Sequence, residues 1–411
     1  MSEWQKVKLN TVTSYIKRGI SPEYVETDGH SVINQKCIRD NRISYEKSKL
    51  LNKTQKINKE KYLQDGDILV NSTGTGTLGR VAQYKKLDEK VFCDSHISIV
   101  RANELINKKF LSYYLSYSEP MIENYGKGAT NQMELSPYDL GLIKINLPPL
   151  SIQQKIAKIL SDYDDLIEIN LKRIKLLEDF GRLTYEEWFL RYRIDGKKLN
   201  IDLVTDLPFG WKKKSITECD AFSQDKRKIK EFEGEKKYYA TADIIGTTIT
   251  SDGETINWDN KPSRAQIKPN NNTVWFARMS NTYKVLCFNN KNIKLQENSV
   301  ISSGFAGFKA KNDLCLPFLY FTINSKFFHE LKDLYATGAT QVSLNNDSMR
   351  FVKIIEPSTD LVEDFGNRTL PLIEEISILK NKNYLLKEAK DILLPRLMTE
   401  MIDLDNIEVG S

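Results

Sequence analysis

The chain has 411 residues, 40% of them hydrophobic and 28% charged. This is an ordinary globular composition, and the length suggests two or three domains. The formal net charge of +5 permits nucleic-acid binding without requiring it. We expect no secretory signal and no membrane span, because no apolar segment is long enough for either. Five scattered cysteines without a C-x-x-C pair are typical of a reduced, cytoplasmic protein.

The sequence repeats itself at an offset of about half its length. Trp4–Leu9 (WQKVKL) resembles Trp211–Ile216 (WKKKSI), and Tyr125–Thr130 (YGKGAT) resembles Tyr335–Thr340 (YATGAT). Further pairs follow in the same order at nearly the same offset. Such ordered similarity indicates a tandem duplication.

In chain order, each half begins with mixed secondary structure. Apolar and alternating runs predict strands at Asp67–Asn71, Val91–Val100 and Val274–Arg278. Helical spacing of apolar residues predicts helices at Lys108–Tyr117 and Pro317–Lys326. Each half is therefore expected to contain an α/β domain.

A long amphipathic helix follows each predicted domain. The first is predicted over Ser151–Tyr192, and the second is expected to stop at Pro395. In both, apolar residues recur every seven positions, which predicts a coiled-coil seam. The predicted seam residues are Leu160, Ile167, Ile174, Leu372, Leu379, Leu386 and Leu393. They could pair with another chain as a leucine zipper, but two matched helices in one chain favour antiparallel pairing with each other.

We therefore predict an α+β protein with two tandem α/β domains, each followed by a long helix. The two helices would pair as an antiparallel coiled coil, and the halves would form a pseudo-two-fold internal repeat. The predicted boundaries are 1–147 for the first domain, 148–196 for the central helical region, 197–357 for the second domain and 358–411 for the C-terminal helical region.

One glycine-rich stretch matches a nucleotide-binding pattern. Gly74, Gly76 and Gly79 form G-x-G-x-x-G, which binds dinucleotides when it follows a strand and opens a helix. The residues that follow favour another strand, and the corresponding stretch Ala277–Lys284 has no glycine. A loop joining two strands is the favoured interpretation, and a nucleotide-dependent enzyme is kept as an alternative.

The sequence shows no convincing catalytic or metal-binding constellation. Asp88–Lys90 matches the short D/E-x-K pattern of nucleases, which chance explains in so charged a chain. Cys93–His96 groups four reactive residue types, but strand alternation would separate them. With three histidines in all, a histidine-based metal site is not expected.

The segment Leu147–Leu160 (LPPLSIQQKIAKIL), with WQKVKL from Trp4, GDILV from Gly66, TLGRVA from Thr77 and LLPRLM from Leu393, resembles specificity subunits of type I restriction-modification systems. The resemblance covers the whole chain. The second half departs from it at Pro357–Asp364 (PSTDLVED) and in lacking the glycine loop.

The resemblance implies two target-recognition domains and a non-catalytic role. The partners it implies are double-stranded DNA, two methyltransferase subunits and two restriction subunits that act as ATP-driven translocases. S-adenosylmethionine, ATP and Mg²⁺ would be bound by those partners, and no cofactor by this chain. A helix of 42 residues would be about 63 Å long, and half-sites on one DNA face lie about 34 Å apart per turn. We therefore expect paired helices to set the gap of a bipartite, asymmetric target.

Candidate DNA contacts follow from residue type and position. Phosphate contacts are predicted for Lys47, Lys49, Lys53 and Lys56, and for Lys226, Arg227, Lys228 and Lys230, each run being alternatively a solvated face. Base contacts are predicted for Thr75, Thr77, Arg80, Lys127, Thr130, Asn131 and Gln132 in the first half, and for Arg278, Asn281, Lys284, Thr340 and Gln341 in the second. A coiled-coil scaffold without DNA specificity is the remaining alternative.

Overall fold

The computed structural model describes residues 4–127, 133–338 and 341–404. Internal contacts divide the chain into two compact units. The first unit contains Met1–Leu166 and Leu386–Ser411, and the second contains Ile167–Leu385. Among the described residues, every helix falls short of the length or the apolar character that a membrane crossing requires. The domain boundaries predicted from the sequence separate domains from helices, whereas these units divide both long helices.

The described part of the first unit contains twelve strands and three short helices, followed by the start of a long one. The strands are β1 Gln5–Lys8, β2 Thr13–Arg18, β3 Tyr24–Val25, β4 Gly29–Ile33, β5 Ile38–Arg39, β6 Arg42–Ile43, β7 Lys49–Asn52, β8 Ile68–Asn71, β9 Val81–Gln83, β10 Val91–Cys93, β11 Ile97–Ala102 and β12 Lys144–Leu147. The helices are α1 Lys108–Tyr117, α2 Glu119–Glu123, α3 Pro137–Gly141 and the long α4 Leu150–Tyr185. Short 3-10 turns occupy Leu9–Thr11, Gln35–Cys37, Tyr45–Lys47 and Lys59–Lys61.

Two four-stranded sheets form the body of the first unit. One has the antiparallel order β2-β11-β8-β9, and the other has the order β10-β4-β7-β3, with β10 parallel to β4. Every residue of β8 is buried, as expected for an apolar strand in the middle of a sheet. The predicted strand Val91–Val100 is in fact two strands, because a turn at Asp94–His96 separates β10 from β11 and sends them into different sheets.

The second unit has a similar set of elements. Its strands are β13 Arg193–Ile194, β14 Lys197–Lys198, β15 Ile201–Asp202, β16 Leu207–Pro208, β17 Lys212–Ser215, β18 Phe222–Asp225, β19 Lys236–Tyr239, β20 Ile244–Ile245, β21 Thr248–Ile249, β22 Glu254–Ile256, β23 Ala265–Ile267, β24 Thr273–Ala277, β25 Val285–Phe288, β26 Ser299–Ser302, β27 Phe305–Ala310 and β28 Lys353–Glu356. Its helices are α5 Ile293–Asn298, α6 Leu316–Asn324, α7 Lys326–Leu334 and the long α8 Thr359–Met398. Short 3-10 turns occupy Ile216–Glu218, Thr241–Asp243, Asp313–Cys315 and Ser348–Phe351.

Much of the topology of the first unit is repeated in the second. The antiparallel sheet β18-β27-β24-β25 matches β2-β11-β8-β9, and the pair β17-β28 matches β1-β12. The parallel pair β4 and β10 recurs as β19 and β26. The sheets confirm the predicted α+β fold class and its internal repeat.

Helices α4 and α8 pack against each other in antiparallel order. In the first unit, Lys155 donates to the Leu404 carbonyl at 2.8 Å, and Asp164 pairs with Lys390 at 2.7 Å. In the second unit, Ile174 is buried against Leu379. Residues later in α4 contact residues earlier in α8, so the helices run in opposite directions.

The predicted seam residues differ in burial. Leu160, Ile167, Ile174 and Leu379 are buried, while Leu372, Leu386 and Leu393 are half-buried. Ile373, Ile376 and Leu379 are among the buried residues of α8, and their spacing of three follows one face of an α-helix.

Two sequence expectations about the helix ends are wrong. The first helix does not continue to Tyr192: α4 ends at Tyr185, and a π-helical turn follows at Glu186–Leu190. The wider turn brings the buried rings of Trp188 and Phe189 into the core. Nor does Pro395 end the second helix, which continues to Met398 because its last turn is buried in the core of the first unit.

Polar clusters accompany the apolar seam in each unit. In the first, the Tyr113 hydroxyl donates to Asp164 at 2.6 Å, beside the Lys390 ion pair. In the second, the Glu178 carboxylate accepts from Lys380 at 3.0 Å and from the Tyr320 hydroxyl at 3.3 Å. Half-buried polar pairs of this kind favour one register, because any slip leaves a charge without its partner.

We predict that the seam residue Leu379 contributes more stability than an exposed leucine on the same helix. Replacing Leu379, which is 1% exposed, with alanine should lower the free energy of unfolding by about 2–4 kcal/mol through lost burial and a new cavity. Leu385→Ala is the matched control, because Leu385 is 51% exposed, and should cost less than about 0.5 kcal/mol. Equal losses in urea unfolding would contradict the assignment of the seam.

Candidate nucleic-acid interface

The glycine-rich stretch is a hairpin loop between the antiparallel strands β8 and β9. Its ends are joined by hydrogen bonds from the Gly79 amide to the Asn71 carbonyl at 2.8 Å and from the Asn71 amide to the Arg80 carbonyl at 2.9 Å. Gly74, Gly76 and Gly79 all have positive φ angles, which glycine adopts without a steric penalty. A dinucleotide loop would lead into the N-terminus of a helix, whereas this loop leads into β9.

The predicted base contacts in this loop have different environments. Thr75 is exposed at its tip. The Thr77 hydroxyl faces inward and shares its one hydrogen between the carbonyls of Thr73 and Gly74, both at 3.2 Å. Arg80 donates through Nη2 to the Gly76 carbonyl at 2.7 Å. Thr77 and Arg80 therefore brace the loop, and Thr75 is the predicted contact that projects from it.

A second loop lies beside the glycine loop. Lys127 and Glu134 exchange backbone hydrogen bonds of 2.9 Å, and the Leu135 amide donates to the Ser72 carbonyl at 2.9 Å. Thr73 forms a β-bridge with Glu134. The structure thus brings together the two segments that contain the predicted base contacts of the first half. Lys127 is exposed and pairs with Asp139 at 2.8 Å, whereas Gly128, Thr130, Asn131 and Gln132 lie outside the described residues.

The second unit has the same arrangement in the loop between β24 and β25. Met279 and Thr337 both form β-bridges with Ser343, and the Leu344 amide donates to the Arg278 carbonyl at 2.9 Å. Among the predicted contacts here, Asn281 and Gln341 are exposed, and Thr340 lies outside the described residues.

Two cations predicted to read bases in the second unit donate hydrogen bonds to its loops. Arg278 donates to the carbonyls of Phe305 at 3.0 Å and Leu344 at 3.3 Å, and to the Asn346 side chain at 2.9 Å. Burial lowers the pKa of its guanidinium. Lys284 donates to the Thr241 carbonyl at 2.7 Å. Both side chains are half-buried, so neither is free to point at a base without leaving these carbonyls.

Arg18 is a bracing residue that the sequence reasoning missed. It donates through Nη2 to the Leu135 carbonyl and to Glu134, both at 2.8 Å, and through Nη1 to the Ser95 carbonyl at 3.2 Å. Leu135 occupies the position that Leu344 has in the second unit, where Arg278 makes the equivalent contact. Two arginines that do not correspond in the repeat therefore each donate to the carbonyl of an equivalent leucine. Arg18 lies far from its partners in sequence, so no local pattern marks it.

A charged cluster on α7 holds the loop between β24 and β25 in the second unit. Lys332 is fully buried and donates to the Met279 carbonyl at 2.8 Å and to Asp333 at 2.6 Å. Asp333 also accepts from the Asn281 amide at 3.0 Å. The salt bridge satisfies the buried ammonium, and the loop is thereby tied to a helix.

The reactive run Cys93–His96 spans the end of β10 and the following turn. Burial raises the pKa of the Cys93 thiol, which disfavours the thiolate. Asp94 accepts from the His96 amide at 3.0 Å. Across the parts of the chain that the structure describes, no group of three or more potential ligands is placed to hold a metal ion.

Comparison with known proteins shows which proteins this chain is similar to. Residues 1–179 match the model of the type I restriction modification DNA specificity domain. The HindI specificity subunit of a type I restriction enzyme from Haemophilus influenzae is 22% identical over 97% of this chain and 99% of its own length. The crystal structure of a type I system S subunit from M. genitalium has 16% identity and a TM-score of 0.54, covering 96% of each chain, which is a likeness of fold.

The chain resembles type I specificity subunits. A putative subunit of this kind from Methanocaldococcus jannaschii, MjaX, is 26% identical over 218 residues, and MjaVIII from the same organism is 27% identical over 214 residues. The chain spans about half the length of these two relatives, 51% and 47% respectively. The resemblance inferred from the sequence is confirmed.

The basic residues predicted to contact phosphates lie on the β3–β7 side of the first unit and after β18 in the second. Lys47, Lys49, Lys53 and Lys56 are exposed, as are Lys226, Arg227, Lys228 and Lys230. Several already have partners: Lys49 lies 4.4 Å from the Tyr24 ring centroid, Lys53 pairs with Asp28, and Arg227 pairs with Asp225. Their role as phosphate contacts stays a prediction.

We predict that Gly79 of the glycine-rich loop tolerates alanine less well than Gly76. Both have positive φ angles, 87° and 70°, so alanine at either should cost about 1 kcal/mol in backbone strain. A Cβ atom at Gly79 would also lie 3.1 Å from the Glu119 carbonyl oxygen and 3.2 Å from the Glu123 nitrogen, whereas Gly76 has open space. Gly79→Ala should therefore lower the free energy of unfolding by about a further 1–2 kcal/mol. Equal losses would show that the loop does not pack on α2.

We predict that His329 makes the second unit less stable in mild acid. Its ring is 4% exposed, and burial, helped by Lys332, lowers its pKa to about 4 from an ordinary value of 6.5. As the pH falls through this range, the unfolded chain gains a proton that the folded unit does not accept, so stability is lost. The stability of wild type relative to His329→Phe should fall by about 3 kcal/mol between pH 7 and pH 4. Parallel stability curves would contradict this.

Proposed function

We propose that the chain is the DNA-recognition subunit of a type I restriction-modification complex and reads a bipartite, asymmetric target. The observation that carries the proposal is the repeated pairing of a hairpin loop with a second loop in each unit. Together with the match to a DNA specificity domain, it gives two similar surfaces in one chain. Each surface would read one half of the target.

The asymmetry of the target is supported by the residues at equivalent positions. Thr73 and Lys127 of the first unit correspond to Met279 and Thr337 of the second, because each pair forms β-bridges with one residue of the neighbouring segment. A threonine hydroxyl and a lysine differ from a thioether and a threonine in hydrogen bonding and charge. Surfaces with such different chemistry would select different bases.

The chain would act without catalysing a reaction itself. Methylation with S-adenosylmethionine and ATP-driven restriction with Mg²⁺ would belong to two methyltransferase subunits and two restriction subunits in the cytoplasm. An exposed apolar stripe on α4 in the second unit supports docking of such partners: Ile169, Leu176, Phe180 and Leu183 are 58%, 70%, 60% and 47% exposed. Exposed apolar patches on soluble proteins commonly mark interaction sites. That paired helices set the gap between half-sites stays a prediction.

Two observations weigh against the alternative functions. The glycine loop joins antiparallel strands, which leaves it without the helix N-terminus that would bind a nucleotide phosphate. The buried seam residues Leu160, Ile174 and Leu379 are covered within their own units, so they are not available to pair with a second chain as a zipper.

The proposal is tested by expressing the chain with its neighbouring methyltransferase gene in a host that lacks DNA methylation. Modified adenines are then mapped across the genome. We expect a split motif with a fixed gap and two different halves, because each unit contributes one reading surface.

The control is the same host with the methyltransferase alone, in which the motif should be absent. A soluble complex with an active methyltransferase but no motif that depends on this chain would overturn the proposal.

A further inference from the structure

We propose that His96 is a specificity-determining residue of the first unit and accepts a hydrogen bond from an exocyclic amino group of adenine or cytosine. The inference rests on the proposed function and goes beyond it by naming a residue and the base chemistry that it reads. His96 belongs to the Cys93–His96 run, for which the interface described above has no use.

His96 is exposed on the turn between β10 and β11, beside the start of the glycine-rich loop. The Ser72 amide donates to its carbonyl at 2.9 Å. Arg18 holds the same turn by donating to the Ser95 carbonyl at 3.2 Å. The position of the imidazole is therefore set by backbone contacts on both sides.

The imidazole is oriented by a triad of side chains, Gln35–Thr73–His96. The Thr73 hydroxyl lies 2.8 Å from His96 Nδ1 and donates to Gln35 Oε1 at 3.0 Å. Gln35 starts the 3-10 turn Gln35–Cys37, and its carbonyl accepts from Asn71 at 3.0 Å. Each member of the triad is thus attached to a separate part of the interface.

The triad determines which ring nitrogen bears the proton. A threonine hydroxyl has one hydrogen, and here it is donated to Gln35, so toward His96 the hydroxyl oxygen acts as an acceptor. Nδ1 must then donate, which in the neutral imidazole leaves Nε2 as an acceptor. Of the two ring nitrogens of His96, Nδ1 has a hydrogen-bond partner among the described residues and Nε2 has none.

An acceptor at this place selects a particular class of base edge. In the major groove, hydrogen-bond donors are presented only by the N6 amino group of adenine and the N4 amino group of cytosine. Guanine and thymine present acceptors at the corresponding positions. With Nε2 as an acceptor, His96 would therefore discriminate in favour of an amino-bearing base.

Gly74 makes room for this triad. A Cβ atom at Gly74 would lie 2.6 Å from Thr77 Oγ1 and 3.1 Å from Gln35 Nε2. The second unit has no such triad, since Met279 stands in place of Thr73 and Gly304 in place of His96, as the equivalent backbone contacts show. The inference therefore concerns one half of the target only.

The test uses the complex with the methyltransferase and synthetic duplexes of the motif found by methylation mapping. In each duplex one adenine or cytosine of the half-site read by the first unit is replaced by purine or pyrimidin-2-one, which lack the amino group. We expect wild-type binding to fall about tenfold at one position, in the range of one lost hydrogen bond. His96→Ala should bind the natural duplex about tenfold more weakly and show no further loss at that position.

Thr73→Val keeps His96 and the shape of residue 73 but removes the hydroxyl, and should weaken discrimination at the same position. His30→Ala is the matched control, a histidine of the same unit, and should behave as wild type. The inference is overturned if His96→Ala remains sensitive to the amino group everywhere, or if it weakens all sequences equally. If the wild-type chain yields no motif, the proposed function fails and this inference fails with it.

Discussion

The packing of α4 against α8 is the constraint on which the rest of the structure depends. In each unit an acid on α4 accepts hydrogen bonds from a lysine on α8 and from a tyrosine of the neighbouring domain: Asp164 with Lys390 and Tyr113, Glu178 with Lys380 and Tyr320. The apolar seam supplies the attraction, but apolar contacts tolerate slippage. The acid–lysine pairs do not, so they select the register in which each domain completes its core.

Within that constraint, buried side chains hold the loops of each interface, while the exposed residues of the loops differ between the units. Arg18 and Arg278 each donate to the carbonyl of an equivalent leucine, and Lys332 holds the Met279 carbonyl. These cations are half-buried or fully buried. Residues such as Thr75 and Asn281 can therefore differ between the units while the loops that carry them keep one geometry. A site used for recognition benefits from such support, because ordering it on binding would cost affinity.

The sequence was informative where structure is local or repeated. The helix Lys108–Tyr117 is found with the predicted bounds, since Asn107 caps it and its apolar spacing is helical. The repeat and the hairpin nature of the glycine loop also follow from local patterns. Contacts between residues distant in sequence were not predictable: Arg278, a predicted base contact, also donates to the Phe305 and Leu344 carbonyls, and Arg18 was missed. The prediction that the second long helix stops at Pro395 was wrong because burial of the following turn, a tertiary effect, outweighs one lost backbone hydrogen bond.

The central claim is that each unit reads its own half of the target independently. It is tested most directly by changing only the second unit, with Asn281→Gly, which preserves the positive φ angle of 55°, combined with Gln341→Ala. Methylated sites are then mapped for this variant and for wild type in parallel. The account predicts that one half of the motif becomes degenerate while the other half and the gap stay unchanged. Changes in both halves, or in neither, would contradict it.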